Sequence, residues 1–518
     1  MSETLNESGS PQDELSQSQL GLLLISVLIV ALCGITYELI IATVSSYLLG
    51  NSVYQFSITI GLFMFAMGVG SYLTKRFQGD LVSSFVVIEI LVALIGGFCS
   101  TVLFSVFPFY VYYKPVMYSL ILVIGALVGL EIPILTRILS RVESLRTSIA
   151  HVLSLDYVGA LIGSVAFPLL LLPSFGLFRS SFIIGLLNIG VVFFTLVMFG
   201  SKLRRRRLCQ VGAIIVATLL IAGAVNSVRI REYAESRLFA NTIIFQKQTP
   251  YQRIILTKSE MSGKLRLYID GHLQFAEVDE HRYHEALVHP VMSLSGSRKN
   301  VLILGGGDGM AAREVLKYPD VERIDLVDID PEMTTLCHTH AAIRRINQGS
   351  LRHPKMHLHH TDAFTFVDDP PVRYDRVIID LPDPHNEVLS KLYSDTFYKK
   401  LRRCLTSDGY FVTQSSSPFF TREAFWCIAK TIEAAEMQPL SYHSTVPSFG
   451  LWGFHLAAAN GKKTDAEFSF SVPMKHLNAE LMTHSQSFGN DTSRLDKLPV
   501  NSLFQPKLYE LYQRGQWR

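Results

Sequence analysis

The chain has 518 residues, more than a single domain normally holds, so at least two folding units are expected. Apolar residues make up 49% and charged residues 18%, with a mean hydropathy of +0.28, values unusual for a soluble protein. The net charge of +3, with no extended basic face outside one loop, gives no ground for a nucleic-acid partner. Cys33, Cys99, Cys209, Cys337, Cys404 and Cys427 show neither CxxC nor Cys/His ligand spacing, so they read as free or buried thiols with no disulfide framework and no zinc site.

Residues 1–18 form a polar tail with Glu3, Glu7, Asp13 and Glu14, and no basic segment of the kind that opens a signal peptide precedes the first apolar run. Over 19–228 come seven apolar segments, near 20–46, 52–74, 81–107, 115–136, 149–172, 179–199 and 208–228. Each is long enough to cross a hydrocarbon layer of roughly 30 Å as a helix. The reading is an α-helical transmembrane bundle with the lipid bilayer as its partner. Gly61, Gly68, Gly70, Gly159 and Gly163 are expected to let helices approach closely. Glu38, Glu89, Glu131 and Asp156 lie within or at the edge of spans. An unpaired charge there costs at least about 2.5 kcal/mol, so these acids are expected to face the bundle interior. They either pair with buried polar groups, lie near an interface, or form a cation path or cation site.

After a linker at 229–240 the pattern becomes that of a soluble enzyme. Gln252–Thr257 and Leu265–Ile269 predict strands in a small β-unit over 241–295, with turns at Ser262-Gly263 and Asp270-Gly271. Over 296–460 a Rossmann-like, nucleoside-binding α/β domain is expected. Asn300–Leu304 is a continuous apolar run, as in a buried parallel strand, and leads through Gly305-Gly306-Gly307-Asp308-Gly309 into a helical pattern at Ala311–Tyr318. Strand, glycine turn and helix bring backbone close to a nucleotide-like ligand. Strands at Arg323–Ile329, Met356–His359 and Arg376–Ile379 follow, so successive strand ends deliver Asp308, Asp328, Asp362 and Asp380 to one sheet edge, where ligands bind in such folds. Residues 461–518 form an extension of mixed charge without a chemical motif, placed either to pack on the domain or to mediate assembly.

Tyr251-Gln252, Ile269-Asp270-Gly271 with Gln274, Asp279-Glu280 with Tyr283-His284-Glu285, Gly305–Gly309 with Arg313-Glu314, and Asp380 with Asp383-Pro384 resemble the ordered motifs of spermidine synthases, the polyamine aminopropyltransferases. The resemblance covers about 241–460, and membrane-fused members of that family exist. It implies a methyltransferase-type α/β fold and transfer of an aminopropyl group from decarboxylated S-adenosylmethionine to a diamine such as putrescine, releasing methylthioadenosine. The nucleoside is then a co-substrate, and no cofactor is permanently bound. By motif position, Gln252, Asp328, Asp362 and Ala363 would bind the nucleoside. His284 and Asp308 would contact the polyamine or aminopropyl part, Asp380 would accept the proton and Asp383 would hold the amine, with Tyr283 and Gln274 completing the set. A homo-oligomer stays open. Polyamines are cations, so a cation path through the spans would suit them.

The chemistry points the same way. A sulfonium activates its neighbouring carbon, whereas an alkylamine near pKa 10.4 needs a base to free its lone pair. Several acids complement a dication, and Asp308 would repel the carboxylate of ordinary S-adenosylmethionine. This sequence departs from the family at His385-Asn386-Glu387, where glycine and proline are usual, at Asp328 for glutamate, at Ala363 for glycine and at Phe449 for tyrosine. His353, His357, His359 and His360 cluster without completing a metal set. Two other classes stay open: an S-adenosylmethionine methyltransferase, and a membrane transporter or sensor whose soluble domain binds without turnover. Ten basic residues in the loops after spans two, four and six (Lys75, Arg76, Arg137, Arg141, Arg146, Lys202, Arg204, Arg205, Arg206, Arg207) stand against five on the other side. That asymmetry puts the carboxy-terminal half outside the cell, while a cytosolic nucleoside substrate argues for the inside.

Overall fold

Apolar and charged residues are segregated along the chain, and the fold follows that division. The computed structural model describes residues 17–49, 52–77, 79–107, 109–200, 203, 206–230, 241–464, 467–495 and 497–515. Nearly all of the polar tail, linker residues 231–240 with Arg231 and Arg237, and Lys202, Arg204 and Arg205 of the basic loop lie outside the described residues. The chain divides into two compact units, Met1–Ala240 and Asn241–Arg518.

The first unit contains helices α1 (Gln17–Leu49), α2 (Ser52–Leu73), α3 (Leu81–Val106), α4 (Tyr110–Leu139), α5 (Leu145–Ala166), α6 (Leu172–Phe199) and α7 (Arg206–Val225). Among the described residues, six helical stretches are long and apolar enough to cross a membrane. The sequence reading has seven, because it separates 149–172 from 179–199. In the structure Leu145–Phe199 is counted together because helical backbone runs on through a π-turn at Phe167–Leu171, but Gly176, whose φ of 69° and ψ of 178° are not helical, divides it into two helices. Arg179 is the one charge near that junction, and Pro168 and Pro173 sit inside helical turns rather than ending them.

The expected glycine packing divides. A side chain at Gly159 would meet the Leu28 carbonyl at 2.2 Å and one at Gly70 the Ala126 carbonyl at 2.0 Å, so backbones touch there. Gly61 and Gly68 face open space and hold no neighbour. Glu38, Glu89 and Glu131 are buried, and Asp156 is half-buried.

The second unit opens with an antiparallel sheet, β1 (Thr242–Gln248), β2 (Arg253–Lys258), β3 (Leu265–Ile269) and β4 (His272–Ala276). The last two strands are joined by a two-residue turn in which Asp270 and Gly271 both have positive φ, the geometry of a tight hairpin. Helix α8 (Glu280–Ser293) leads to the main sheet: β5 (Asn300–Gly305), β6 (Arg323–Val327), β7 (Met356–His359), β8 (Tyr374–Asp380), β9 (Leu405–Gln414), β10 (Leu440–Val446) and β11 (Gly450–Ala458). The order is β10-β11-β9-β8-β5-β6-β7, parallel from β7 to β9, with β11 and β10 antiparallel at one edge. Val301 and Ile303 enter one core and Leu302 and Leu304 the other, which is why β5 reads as an unbroken apolar run.

From β5 the chain goes first to one side, through β6 and β7, and then crosses to β8 on the other. The crevice between β5 and β8 is therefore the topological switch point. There Gly305 pairs with Asp380, and the Gly306 amide donates to the Asp380 carbonyl at 3.0 Å. A β-carbon at Gly305 would lie 2.1 Å from that carbonyl, and its φ is +80°. Gly305→Ala is accordingly expected to destabilise the second unit by more than ~2 kcal/mol, measured as a fall in the denaturant midpoint of the full-length protein.

Candidate active site

The carboxyl edge of β5, β6 and β8 forms the floor of a cavity of about 990 Å³, roofed by the small sheet, α8, the segment after β8 and residues before β11. All ten residues singled out from the sequence line it: Gln252, Gln274, Tyr283, His284, Asp308, Asp328, Asp362, Ala363, Asp380 and Asp383. Each is brought there by a different local rule.

The glycine turn after β5 lets backbone pass close to its neighbours. Asp328, just beyond β6, accepts the Gly307 amide on Oδ2 at 3.1 Å and the Asp330 amide on Oδ1 at 2.9 Å. Its burial lifts its pKa to about 6. Gln252 donates to Asp330 at 2.9 Å, so the small sheet is tied to the β6 edge through Asp330 rather than through Asp328. Asp362 caps the short helix Ala363–Phe366, accepting the Phe364 amide at 2.9 Å, and also accepts Lys391 Nζ at 2.6 Å. Gln274 donates to the His272 carbonyl at 3.3 Å.

The opposite end is organised by α8. Tyr283 and His284 adjoin on the helix, and the Tyr283 hydroxyl donates to Asp380 Oδ1 at 2.7 Å. Asp380 Oδ2 lies over Gly306, where a β-carbon would stand at 3.1 Å, so the glycine leaves that oxygen clear. Burial raises Asp380 to about 6; the His284 charge opposes that rise, Asp308 adds to it, and the Tyr283 hydrogen bond opposes it. Burial likewise raises Asp308, which accepts the Met310 amide at 2.8 Å.

For His284, burial works against the charged form. Its hydrogen bond to Glu280, at 2.9 Å, and the charges of Glu280, Asp308 and Asp380 prevail and hold it near 9. Glu280, bonded to His284, is also clamped by Arg313 at 2.9 and 2.8 Å; the histidine and arginine contacts together outweigh its burial and keep it at about 2. The site is thus a cluster of carboxyls held around one imidazolium.

Asp383 Oδ2 accepts the Tyr512 hydroxyl at 2.9 Å, with Ser416 at 3.4 Å. Tyr512 comes from the carboxy-terminal extension, so that segment supplies a residue to the cavity. The extension is held in part by Glu285, which accepts three consecutive amides, those of Lys475, His476 and Leu477, at 2.6, 2.9 and 2.9 Å. Lys391, Gln414, Trp452 and Tyr512 line the cavity but carry no sequence signal, because each reaches it from a segment without a motif.

Among the departures, Phe449 lines the cavity beside Tyr283, ring centroids 6.1 Å apart. His385 stacks on His272 at 4.7 Å, and burial with the neighbouring imidazole drops its pKa to about 3, keeping it neutral. Glu387 is exposed and does not line the cavity. His359 is bonded to Asp325 at 2.7 Å and His360 to Thr334 at 2.8 Å.

An acid-rich cleft at the switch point of an open α/β sheet belongs to the class of folds that bind nucleotide-like ligands. Residues 280–469 match the spermine/spermidine synthase domain. The chain is 42% identical to a polyamine aminopropyltransferase of Leptospira interrogans over 95% of this chain and 98% of that one. It is 40% identical to one of Oceanobacillus iheyensis, over 94% and 96% of the two chains, and 40% identical to polyamine aminopropyltransferase 1 of Streptomyces coelicolor, over 98% and 97%. The crystal structure of spermidine synthase from Thermotoga maritima superposes on 48% of this chain and 85% of its own, at 25% identity and a TM-score of 0.43. The likeness to the relatives runs through the apolar half as well as the soluble one. The chain belongs to the polyamine aminopropyltransferase family.

Asp383 is raised to about 6 by burial, against the pull of Tyr512, Gln414 and Ser416. A folded-state value above the ordinary aspartate range means that folding favours the protonated form. The stability this group contributes is complete at low pH and is lost as pH rises through about 6. At pH 8, Asp383→Asn is therefore expected to stabilise the ligand-free protein by roughly 1–3 kcal/mol, an advantage that vanishes near pH 4; thermal unfolding at the two pH values measures it.

Proposed function

We propose that the protein transfers the aminopropyl group of decarboxylated S-adenosylmethionine to putrescine, forming spermidine and methylthioadenosine. The observation that carries this reading is that one cavity is lined by Asp380 and Asp383 together with the glycine turn, Asp328 and Asp362. The nucleoside would lie along Gly305–Gly309, with Asp328 on its ribose and Asp362 and Ala363 at its base; Gln252 would close that end from above. Asp308 and His284 would meet the aminopropyl part, and Gln274 would line its path.

The acceptor nitrogen attacks the carbon joined to the sulfonium, the carbon–sulfur bond breaks, and a neutral thioether leaves. One proton must depart from the attacking amine. Asp380 Oδ2, left clear by Gly306, is placed to receive it, while Tyr283 fixes the other oxygen. A base raised to about 6 stands closer to an ammonium than an ordinary carboxylate does, so proton transfer is less uphill. Asp383 would hold the distal ammonium, with Tyr512 setting its orientation. A methyltransferase is disfavoured because Asp308 would face the carboxylate of ordinary S-adenosylmethionine. A non-catalytic sensor would not need Asp380 held clear.

For the amino-terminal half we propose a multi-pass anchor in the cell membrane, spanning seven times if the break at Gly176 returns the chain across the bilayer. The Rossmann-like, methyltransferase-type description of 296–460 rests on the strand order. Assembly into a homo-oligomer is compatible with the family.

Asp380→Asn is expected to lower turnover by roughly 10² to 10⁴ while methylthioadenosine still binds, since that ligand brings no amine. Near wild-type turnover would remove Asp380 from the base role. In the wild type, kcat/KM should fall as pH drops through about 6, where Asp380 gains its proton. Tyr512→Phe, which removes one donor from Asp383, should raise KM for putrescine roughly 3- to 10-fold and leave nucleoside affinity unchanged, as steady-state kinetics and calorimetry would show.

A further inference from the structure

Lys391 lines the cavity, yet it falls in no motif and has no part in the reaction derived above. Its backbone is held on both sides. It opens the 3₁₀ turn Lys391–Tyr393, and the fully buried Asn501 of the carboxy-terminal extension donates to the Ser390 carbonyl at 2.8 Å and to the Tyr393 carbonyl at 3.1 Å. From that fixed point the side chain reaches the β7 edge. There Nζ donates to Asp362 Oδ2 at 2.6 Å and stands 5.5 Å from the centre of the Phe364 ring. Both side chains line the cavity and keep about a third of their surface open, 32% and 31%, so the pair is a wall of the cleft rather than a buried strut.

With the ribose at Asp328, just beyond β6, the base extends toward the next strand of the sheet. That strand is β7, about 4.8 Å farther on, and the segment after it carries Asp362. Asp362 spends one lone pair of Oδ1 on the Phe364 amide and one of Oδ2 on Lys391, and each oxygen has a second. An ammonium has three donors, of which the bond to Asp362 takes one. The pair therefore offers the cavity an acceptor beside a donor. A 6-aminopurine carries the complement on either edge, its amino donor standing beside a ring-nitrogen acceptor, N1 or N7. A two-pronged contact of this kind is how an asparagine side chain selects adenine in duplex DNA. A 6-oxopurine would instead set an oxygen against the Asp362 carboxylate.

We infer that Lys391 reads the base: its ammonium donates to the ring nitrogen beside the 6-amino group while Asp362 accepts from that group, and together they select a 6-aminopurine nucleoside. The inference rests on the nucleoside reading of the cavity. It adds a residue, and an atom of the ligand, that the glycine turn and the aspartates leave unused.

The test pairs a change in the protein with a change in the ligand. Calorimetry on the full-length protein in detergent would compare methylthioadenosine with its 1-deaza and 7-deaza analogues, in each of which a C–H replaces one ring nitrogen. The wild type should bind one analogue roughly 10- to 100-fold more weakly than methylthioadenosine, the range of a hydrogen bond to a charged group, and the other about equally. Lys391→Met, which keeps an unbranched stem, should weaken methylthioadenosine by a similar factor and no longer distinguish it from that analogue. KM for putrescine at saturating nucleoside should not move in this variant, whereas displacement of the whole segment would change it. A wild type that binds both analogues as tightly as methylthioadenosine overturns the inference. So does a Lys391→Met protein that keeps the discrimination, or one that binds methylthioadenosine more tightly, which would make the lysine a mere occupant of the amino group's place. If the wild type binds no methylthioadenosine, the nucleoside reading itself falls, and this inference with it.

Discussion

The close passage of the β5 turn across the end of β8 is the constraint on which the soluble unit depends. Gly305 pairs with Asp380 in the sheet, the next amide bonds the Asp380 carbonyl, and the Asp380 carboxyl emerges over Gly306. One backbone crossing therefore sets both the floor on which a nucleoside can lie and the position of the carboxyl beside it. The glycine turn and the Asp380 carboxyl cannot drift apart without unpairing the centre of a seven-stranded sheet.

Around that crossing the protein concentrates buried charge, and it does so with a gradient. Farthest in, Glu280, Arg313, Glu314 and His289 form a closed chain of ion pairs and hydrogen bonds between 2.8 and 2.9 Å. Its acids are driven well below the usual range. At the cavity wall the acids lack such partners and are driven upward instead. The same residue types are thus held low in one layer and raised in the next, the difference being whether hydrogen-bonded histidine and arginine partners outweigh burial. His284 bridges the two layers, bonded inward to Glu280 and facing Asp308 and Asp380 outward.

How much of this was legible in the sequence depended on distance along the chain. The β5 run, the glycine turn and the aspartates after β6 and β8 are local patterns, and the cavity is lined by every residue they singled out. β9, β10 and β11 escaped notice: β9 contains Thr406-Ser407-Asp408-Gly409, which reads as a turn, and its strand character comes from pairing with β8 and β11. Tyr512 and Lys391 could not be found because their partners, Asp383 and Asp362, are remote in sequence. In the apolar half, composition located the helices, but whether 145–199 counts as one stretch or two turns on the conformation of a single glycine. Nor does composition distinguish Gly70, wedged against a carbonyl, from Gly68, which faces nothing.

Helix α8 has a bearing on how such a protein can change over evolutionary time. Glu280 anchors Arg313, Tyr283 holds Asp380, His284 returns to Glu280, Glu285 carries the extension, the Ala286 carbonyl takes the Tyr442 hydroxyl, and His289 joins Glu314. Consecutive positions answer to different parts of the domain, so a substitution that suits a new amine at one of them disturbs the domain elsewhere. Phe449 and Val388 line the same cavity under fewer obligations. Drift in acceptor preference is therefore channelled to the rim of the cleft, while its helical wall stays fixed.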